Sequence, residues 1–310
     1  MRQVNIVSKA KYFIMASALI IVVGVVFGLF GGLNLGIDFT GGTLMTVDLG
    51  SEFEVSDVAA VLEENGVKDA PIVKSSVDAG TVATQAQIRI KDMKGIKSED
   101  LRANILNGLK EKYPDTIVFE GETIGAVTSS EIIRNAFLSV IIACVLMLGY
   151  IWIRFELYSG VAALTALVHD VLIMTAVITI FRQQINSPYI AACLTIVGYS
   201  INDTIVLFDR IRENNRKYSH REYTRQEVAD ISIKETLSRT INTSVTTLVT
   251  ITCLYIFGVD SIKEFALPLI IGLISGTYSS IFIASPIWVG LMNRSLRKVG
   301  VKHKKQNKTA

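Results

Sequence analysis

Six stretches of the chain are almost wholly apolar, near 12–35, 136–153, 158–181, 189–208, 242–258 and 265–290, with polar segments of unequal length between them. At about 1.5 Å of rise per residue, a helix of this length crosses a hydrocarbon layer of ~30 Å. The first stretch follows Lys9 and Lys11 and ends in Gly-Gly-Leu-Asn-Leu-Gly-Ile-Asp. It is longer than the roughly 7–15-residue apolar core of a secretory signal, so it predicts an uncleaved span.

Between the first and second stretches the period of the pattern changes. Met45, Val47 and Leu49 alternate as one face of a strand. Ser56 is placed to cap a helix bearing Val58, Val61 and Leu62. Ser98 is placed to cap a second one, bearing Leu101, Ile105 and Leu109 and stopping before Pro114. Residues 72–77, 83–90 and 116–119 read as further strands, with Asp78, Ala79 and Gly80 as punctuation. The order βαββαβ predicts a small ferredoxin-like α+β sandwich between the first two spans. The expected plan is a cytoplasmic N-terminus and first transmembrane helix over 1–35, the sandwich and its linkers over 36–135, a five-helix bundle over 136–291 with a basic cytoplasmic loop at 209–240, and a basic cytoplasmic tail over 292–310.

Composition agrees. Half of the 310 residues are hydrophobic, 19% are charged, and mean hydropathy is +0.43. A soluble domain carries about 25% charged residues, so a soluble enzyme is excluded, and the long apolar runs exclude disorder. The net charge of +3 matters less than its distribution. Arg2, Lys9 and Lys11 precede the first span, eight basic residues lie in 209–240 and seven in 292–310, while 182–188 and 259–264 hold one each. With six spans the basic pieces share one side, which the positive-inside rule makes cytoplasmic. Both termini are then cytoplasmic. The segment 36–135, with 17 acidic against 10 basic residues, lies outside. Cys144, Cys193 and Cys253 all sit in apolar stretches and offer neither a disulfide framework nor a metal spacing.

Ionisable groups inside hydrocarbon are costly and therefore informative. Asp203 lies in the fourth span, about six residues or ~9 Å from its expected cytoplasmic end at Asp209. Tyr199 and Ser200 precede it on the same helical face, and Asn202 and Thr204 flank it. Burial favours the neutral acid unless a cation compensates for the lost water. Arg239, at the start of the fifth span, is placed to snorkel toward it. Arg239, Thr243, Thr246, Thr247 and Thr250 form a polar stripe whose hydroxyls serve either this site or their own backbone carbonyls and helix contacts. Asp203 itself is either a proton carrier or an interhelical hydrogen-bonding group.

His169 and Asp170 stand in the middle of the third span. Such a pair is either a proton relay or a satisfied pair that fixes helix register. Gly24, Gly28 and Gly32 in the first span, and Gly272 and Gly276 in the sixth, repeat at the four-residue spacing of close helix contacts. No Walker loop, GxSxG, HExxH or Cys/His metal spacing occurs, so neither an enzymatic site nor a cofactor or metal is predicted. An ion gradient acting through buried carboxylates is the remaining source of work.

Three segments carry a family resemblance. These are Gly-Ile-Asp-Phe-Thr-Gly-Gly over 36–42, the fourth-span segment 198–214, and Ser-Arg-Thr-Ile-Asn-Thr-Ser-Val-Thr-Thr over 238–247. Together they resemble the SecF branch of the SecD/SecF family, within the resistance–nodulation–division superfamily. The resemblance runs from the first span to the sixth. It implies one half of a pseudo-symmetric twelve-helix assembly in the bacterial cytoplasmic membrane, with SecD as the other half. It also implies use of the proton-motive force in protein export, with SecYEG and SecA, and in some cases YidC and YajC, as neighbours. The implied cargo is a translocating polypeptide, not nucleic acid, and membrane lipid is the surrounding solvent. The implied coupling residues are Asp203 and Arg239. Gly36, Asp38, Gly41 and Gly42 match the family's turn between span and external domain, where Asp38 is expected to be structural. Residues alone lead only to an ion-coupled transport subunit. A small-molecule or lipid exporter half and a passive scaffold or insertase stay open at that level.

Overall fold

The computed structural model describes residues 6–67, 70, 72–75, 84–91, 98–119, 122–218 and 222–295. Asp78, Ala79, Gly80 and most of the basic tail lie outside them. The first span is α1 (Ile6–Gly31), which stops where Gly32 takes a φ of +66°. Left-handed backbone of this kind ends a helix at little cost only in glycine. The expected continuation to residue 35 is therefore interrupted. A short helix, α2 (Ile37–Thr40), follows at once.

The polar insert is β1 (Gly42–Asp48), α3 (Val55–Glu64), β2 (Ile72–Ser75), β3 (Gln85–Lys91), α4 (Ser98–Lys112), β4 (Ile117–Val118) and β5 (Glu122–Ile124). Its strands run in the order β2-β3-β1-β4, all neighbours antiparallel, and β5 pairs with the other end of β1. Met45 and Val47 face Val58, Val61, Leu62, Ile105 and Leu109 across a closed apolar core. The alternation of β1 and the helical spacing of α3 and α4 select these residues. Ser56 does not cap α3: Glu54 occupies the N-cap without a side-chain bond, and Ser56 falls in the first turn. The strand β5 was not foreseen.

Five long helices complete the chain: α5 (Ala126–Arg154), α6 (Leu157–Ile180), α7 (Ser187–Lys217), α8 (Arg225–Phe257) and α9 (Asp260–Ser279). After α9 a π-helical turn, Ser280–Ala284, passes into further helix as far as residue 295. With α1 these make six helices long and apolar enough to cross a membrane. The segment 209–240 is not a loop. It is mostly the end of α7 and the start of α8, joined by a short connection. A capping box, Thr224 with Glu227, starts α8 there. Asp203 consequently lies near the middle of α7, which continues past the expected membrane edge at Asp209.

The helices α7 and α9 are the most enclosed, and α1, α5 and α8 are largely exposed. In the GxxxG of α9, a methyl on Gly272 would overlap Ile196, and one on Gly276 would meet the Ser200 Cβ at 3.0 Å. These two glycines let α9 press on α7. Gly24 does the same for α1 against Ala176 of α6, and Gly28 lies near Thr179. Gly32 has no neighbour within 4 Å, so its role is to end α1 rather than to pack.

The sandwich is tied to the bundle by polar contacts. Arg89 of β3 pairs with Glu264 of α9 and donates to Gln184 Oε1 at 3.0 Å. Asn186 Nδ2 donates to the same Glu264 at 2.6 Å. The 36–42 turn joins this clasp: the Gly36 amide donates to Ile185 O at 2.8 Å, and Asp38 Oδ2 accepts from the Ser187 amide at 2.6 Å. Gly41 adopts a φ of 76°, and a side chain on Gly42 would overlap the Ile90 carbonyl across the sheet.

Candidate functional site

Two carboxylates are enclosed in the bundle. Asp170 on α6 has no exposed surface and Asp203 on α7 is 3% exposed. Ion pairs among the described residues bring no lysine or arginine to either.

Four side-chain contacts surround Asp170. Its Oδ2 accepts from Ser200 Oγ at 2.6 Å and from Ser279 Oγ at 2.8 Å. Its Oδ1 accepts from Ser275 Oγ at 2.8 Å and lies 3.1 Å from His169 Nδ1. The serines come from α7 and α9, so the carboxylate joins three helices. Two oxygens meeting four partners use most of the acceptor capacity of a carboxylate without any water. The other ring nitrogen of His169, Nε2, is buried without a partner. Its ring stacks 6.0 Å from Tyr278, whose hydroxyl donates to Phe13 O at 2.7 Å and accepts from Ser17 Oγ at 3.1 Å, both on α1.

Asp203 is held far more lightly. Its Oδ2 accepts one bond, from Ser244 Oγ of α8, at 3.3 Å. Ser244 in turn accepts from Thr277 Oγ1 of α9 at 2.7 Å. A single long bond leaves Asp203 with spare acceptor capacity in a dry environment. Such a group can gain a proton, or change partner, without first breaking a network.

Helix α9 therefore touches both sites. Ser275 and Ser279, four residues apart, share the face turned to Asp170. Thr277, between them, points away from that face and reaches Ser244. The π turn begins at Ser280, and the Ser280 hydroxyl donates back to Thr277 O at 3.0 Å. A π turn loosens the regular hydrogen-bond ladder and often marks a functional segment.

The sequence-selected groups around Asp203 part company in the structure. Tyr199 does face α8 beside Asp203, but its hydroxyl binds Thr243 O at 2.9 Å and Thr247 Oγ1 at 2.8 Å. Ser200 serves Asp170, not Asp203. Asn202 is exposed and turns away. On α8, Thr243 Oγ1 donates to Arg239 O, Thr246 Oγ1 to Thr243 O and Thr250 Oγ1 to Thr246 O, so most of the stripe satisfies its own backbone. Arg239 is exposed and makes no ion pair with Asp203, although it lies within electrostatic range. It stands five residues before Ser244. At about 100° per residue that is well off the Ser244 face, so direct contact requires α7 and α8 to shift. Ser244, Ser275, Thr277 and Ser279 were missed. Ser244 lies within the 238–247 segment, and Ser275 and Ser279 repeat at helical spacing, but only packing distinguishes them from other hydroxyls.

The fold and the site define a class: a six-span helical membrane protein with an α/β sandwich inserted after its first span and carboxylates buried between its helices. Residues 104–294 match the model of the family described as protein export membrane protein SecD/SecF, C-terminal, and residues 26–52 match the SecD/SecF GG motif. The chain belongs to the SecD/SecF family. The protein translocase subunit SecF of Thermobaculum terrenum is 34% identical over 96% of each chain, and that of Borreliella burgdorferi is 37% identical over 94% of this chain and 99% of the relative. The SecDF subunit of Thermus thermophilus is 37% identical over 94% of this chain, which spans only 39% of that relative. A crystal structure of SecDF from that organism, titled a translocon-associated membrane protein, superposes with a TM-score of 0.78 at 34% identity, over 94% of this chain and 39% of that one.

Proposed function

We propose that the chain is the SecF-type membrane subunit of the Sec protein-export machinery and works with a SecD partner under the proton-motive force. Its near-complete match to SecF proteins supports the assignment. Its match to about two-fifths of SecDF supports a partner that supplies the other six spans and a larger external domain. SecYEG and SecA are the neighbours in this reading, with YidC and YajC in some assemblies. The cargo is a translocating polypeptide. The setting is the bacterial cytoplasmic membrane, with both termini cytoplasmic and the sandwich, read as ferredoxin-like, outside. Cysteine labelling at Ser51 and Lys217 from opposite sides tests the orientation; outside labelling of position 217 in intact cells overturns it.

One observation carries the coupling part. Among the described residues, Asp203 is buried with a single hydroxyl partner, Ser244 of α8, and no cation in ion-pair contact. In this reading it gains and loses a proton in each cycle. Arg239 tunes it when α7 and α8 shift, and His169 and Asp170 support or relay. The drive is about 2.3 kcal/mol per charge per 100 mV, enough to bias an external domain between two positions but not to unfold a stable one.

The test is Asp203→Asn, which keeps shape and hydrogen bonding but removes titration. Membrane insertion and partner binding are expected to persist while gradient-stimulated export is lost. Arg239→Lys is expected to impair export partly, because an ammonium lacks the planar fork. Uncoupler-sensitive export at the wild-type rate in Asp203→Asn vesicles removes Asp203 from the proton path.

A further inference from the structure

A cavity of about 400 Å³ opens between the end of α5, the start of α6 and the last turns of α7. Along α7, Phe208, Arg212 and Arg216 follow one another at four-residue spacing on the cavity wall, with Asn215 beside them. Phe155 and Trp288 supply further apolar wall, and Arg154 comes from α5. The depth of the cavity follows from helix geometry. At about 1.5 Å per residue, Phe208 lies roughly 32 Å along α7 from Ser187, about one hydrocarbon thickness. The apolar wall is therefore at the edge of the hydrocarbon, and Arg212 and Arg216 stand at headgroup level. Beside the opening, Ile153 is 90% exposed, as a lipid-facing residue would be.

The polar groups of the cavity are poorly matched by protein. Among the described residues, Arg212 reaches only the Arg154 carbonyl, at 3.4 Å. Arg216 makes no hydrogen bond or ion pair among the described residues. Arg154 and Asp209 meet at 3.5 Å, both about half exposed. Asn215 Oδ1 is buried and has no donor among the described residues. One carboxylate, the exposed Glu156, lines the cavity against three arginines. Just outside, Glu213 is already held by Arg210 at 2.6 Å.

Two underused guanidinium groups and an unpaired acceptor, above an apolar floor, describe one ligand chemistry. A phosphodiester fits the planar forks of Arg212 and Arg216. A hydroxyl donor beside it satisfies Asn215 Oδ1. An acyl chain covers Ile153. Basic pockets between membrane helices on the cytoplasmic side recognise anionic headgroups in this way. We propose that the cavity is a site for an anionic phospholipid of the phosphatidylglycerol kind. A soluble phosphate shares the arginine chemistry but makes no use of the apolar wall or of the level at which the cavity lies. Bound there, the lipid braces the end of α5 against α7, the helix that carries Ser200 and Asp203. The cytoplasmic leaflet rests on the orientation proposed above. Headgroup recognition does not, so the two can fail separately.

The test is native mass spectrometry of the full chain released from detergent, titrated with phosphatidylglycerol, phosphatidic acid or phosphatidylethanolamine. Phosphatidylglycerol is expected to be retained about tenfold better than phosphatidylethanolamine, because both offer a phosphodiester but the ammonium of the latter would face three arginines. Arg212→Gln with Arg216→Gln is expected to abolish that preference, and Arg212→Lys to lose less. Asn215→Leu is expected to weaken phosphatidylglycerol while leaving phosphatidic acid, which lacks the headgroup hydroxyls, unchanged. A photoactivatable phosphatidylglycerol on the unmodified chain provides a readout independent of the variants, with crosslinks expected near Ile153 and Trp288. Equal retention of the charged and zwitterionic lipids, an unchanged preference in the double variant, or crosslinks only elsewhere overturn the proposal. Complete displacement by millimolar inorganic phosphate overturns it in favour of a soluble anion.

Discussion

Asp170 and Asp203 lie on consecutive helices of one bundle and are both almost fully buried, yet they are bound very differently. Asp170 meets three serine hydroxyls and an imidazole; Asp203 meets one serine at 3.3 Å. The same helix, α9, supplies partners to both, directly to Asp170 and through Ser244 to Asp203. The contrast separates two uses of a charged group in an apolar medium. A carboxylate that accepts from several helices restrains those helices, whereas one with most of its capacity left over is free to respond. Asp203 carries the family resemblance, while Asp170 is the carboxylate whose partners come from two neighbouring helices.

The largest expected effect is on Asp170. Asp170→Ala strips three hydroxyls and His169 of their common partner in a dry core. Leaving several buried hydroxyls without their acceptor costs on the order of 3–5 kcal/mol in all, at about 1–3 kcal/mol for each that finds no other partner. Denaturation of the purified chain followed by circular dichroism is expected to show that loss. A cost no greater than that of Asp203→Ala removes the contrast. The next effect is steric. Gly276→Ala places a methyl 3.0 Å from the Ser200 Cβ, pushing Ser200 away from Asp170. The expected cost is about 1–3 kcal/mol, with Gly290→Ala, which has nothing within 4 Å, as the silent control.

Smaller effects sharpen the picture. Ser275→Ala and Ser279→Ala are each expected to cost about 1 kcal/mol in the wild-type background. Both are expected to cost much less once Asp170→Asn is present, and a double-mutant cycle measures that coupling. Additive costs mean that the serines act through helix packing instead. Least of all, Ser244→Ala is expected to change stability by about 0.5 kcal/mol, because its bond to Asp203 is long and Thr277, which it also loses, keeps Leu273 O as an acceptor. Its effect is expected in gradient-stimulated export instead, where an unchanged rate excludes Ser244 from the coupling path.

Much of this molecule was legible residue by residue. All six apolar stretches became helices long enough to span a membrane, and the alternation of Met45 and Val47 predicted the strand whose inner face they form, with Leu49 entering the same core just past its end. Where reading failed, a short-range signal was overlooked or the answer was not local. The capping box at Thr224 and Glu227 was visible in the sequence and would have turned the basic loop 209–240 into helix ends. Gly32 fitted the four-residue spacing of Gly24 and Gly28, yet its backbone conformation ends the helix instead. The threonine stripe of α8 was visible too, but a hydroxyl on a helix satisfies its own backbone unless a neighbour offers something better, and no spacing rule reveals the neighbour.

Length, hydropathy and the placement of charge are properties of consecutive residues, which is why the spans and the alternating insert could be read directly. Partnership between distant side chains is not such a property. Ser200 precedes Asp203 by three residues and shares its face by helical geometry, yet it bonds to Asp170, thirty positions away. The reason is that Gly276 lets α9 press against α7 at that level, and α6 brings Asp170 to the other side of the same serine. A hydrogen bond requires its atoms within about 3 Å, and such closeness between helices arises only when the bundle closes.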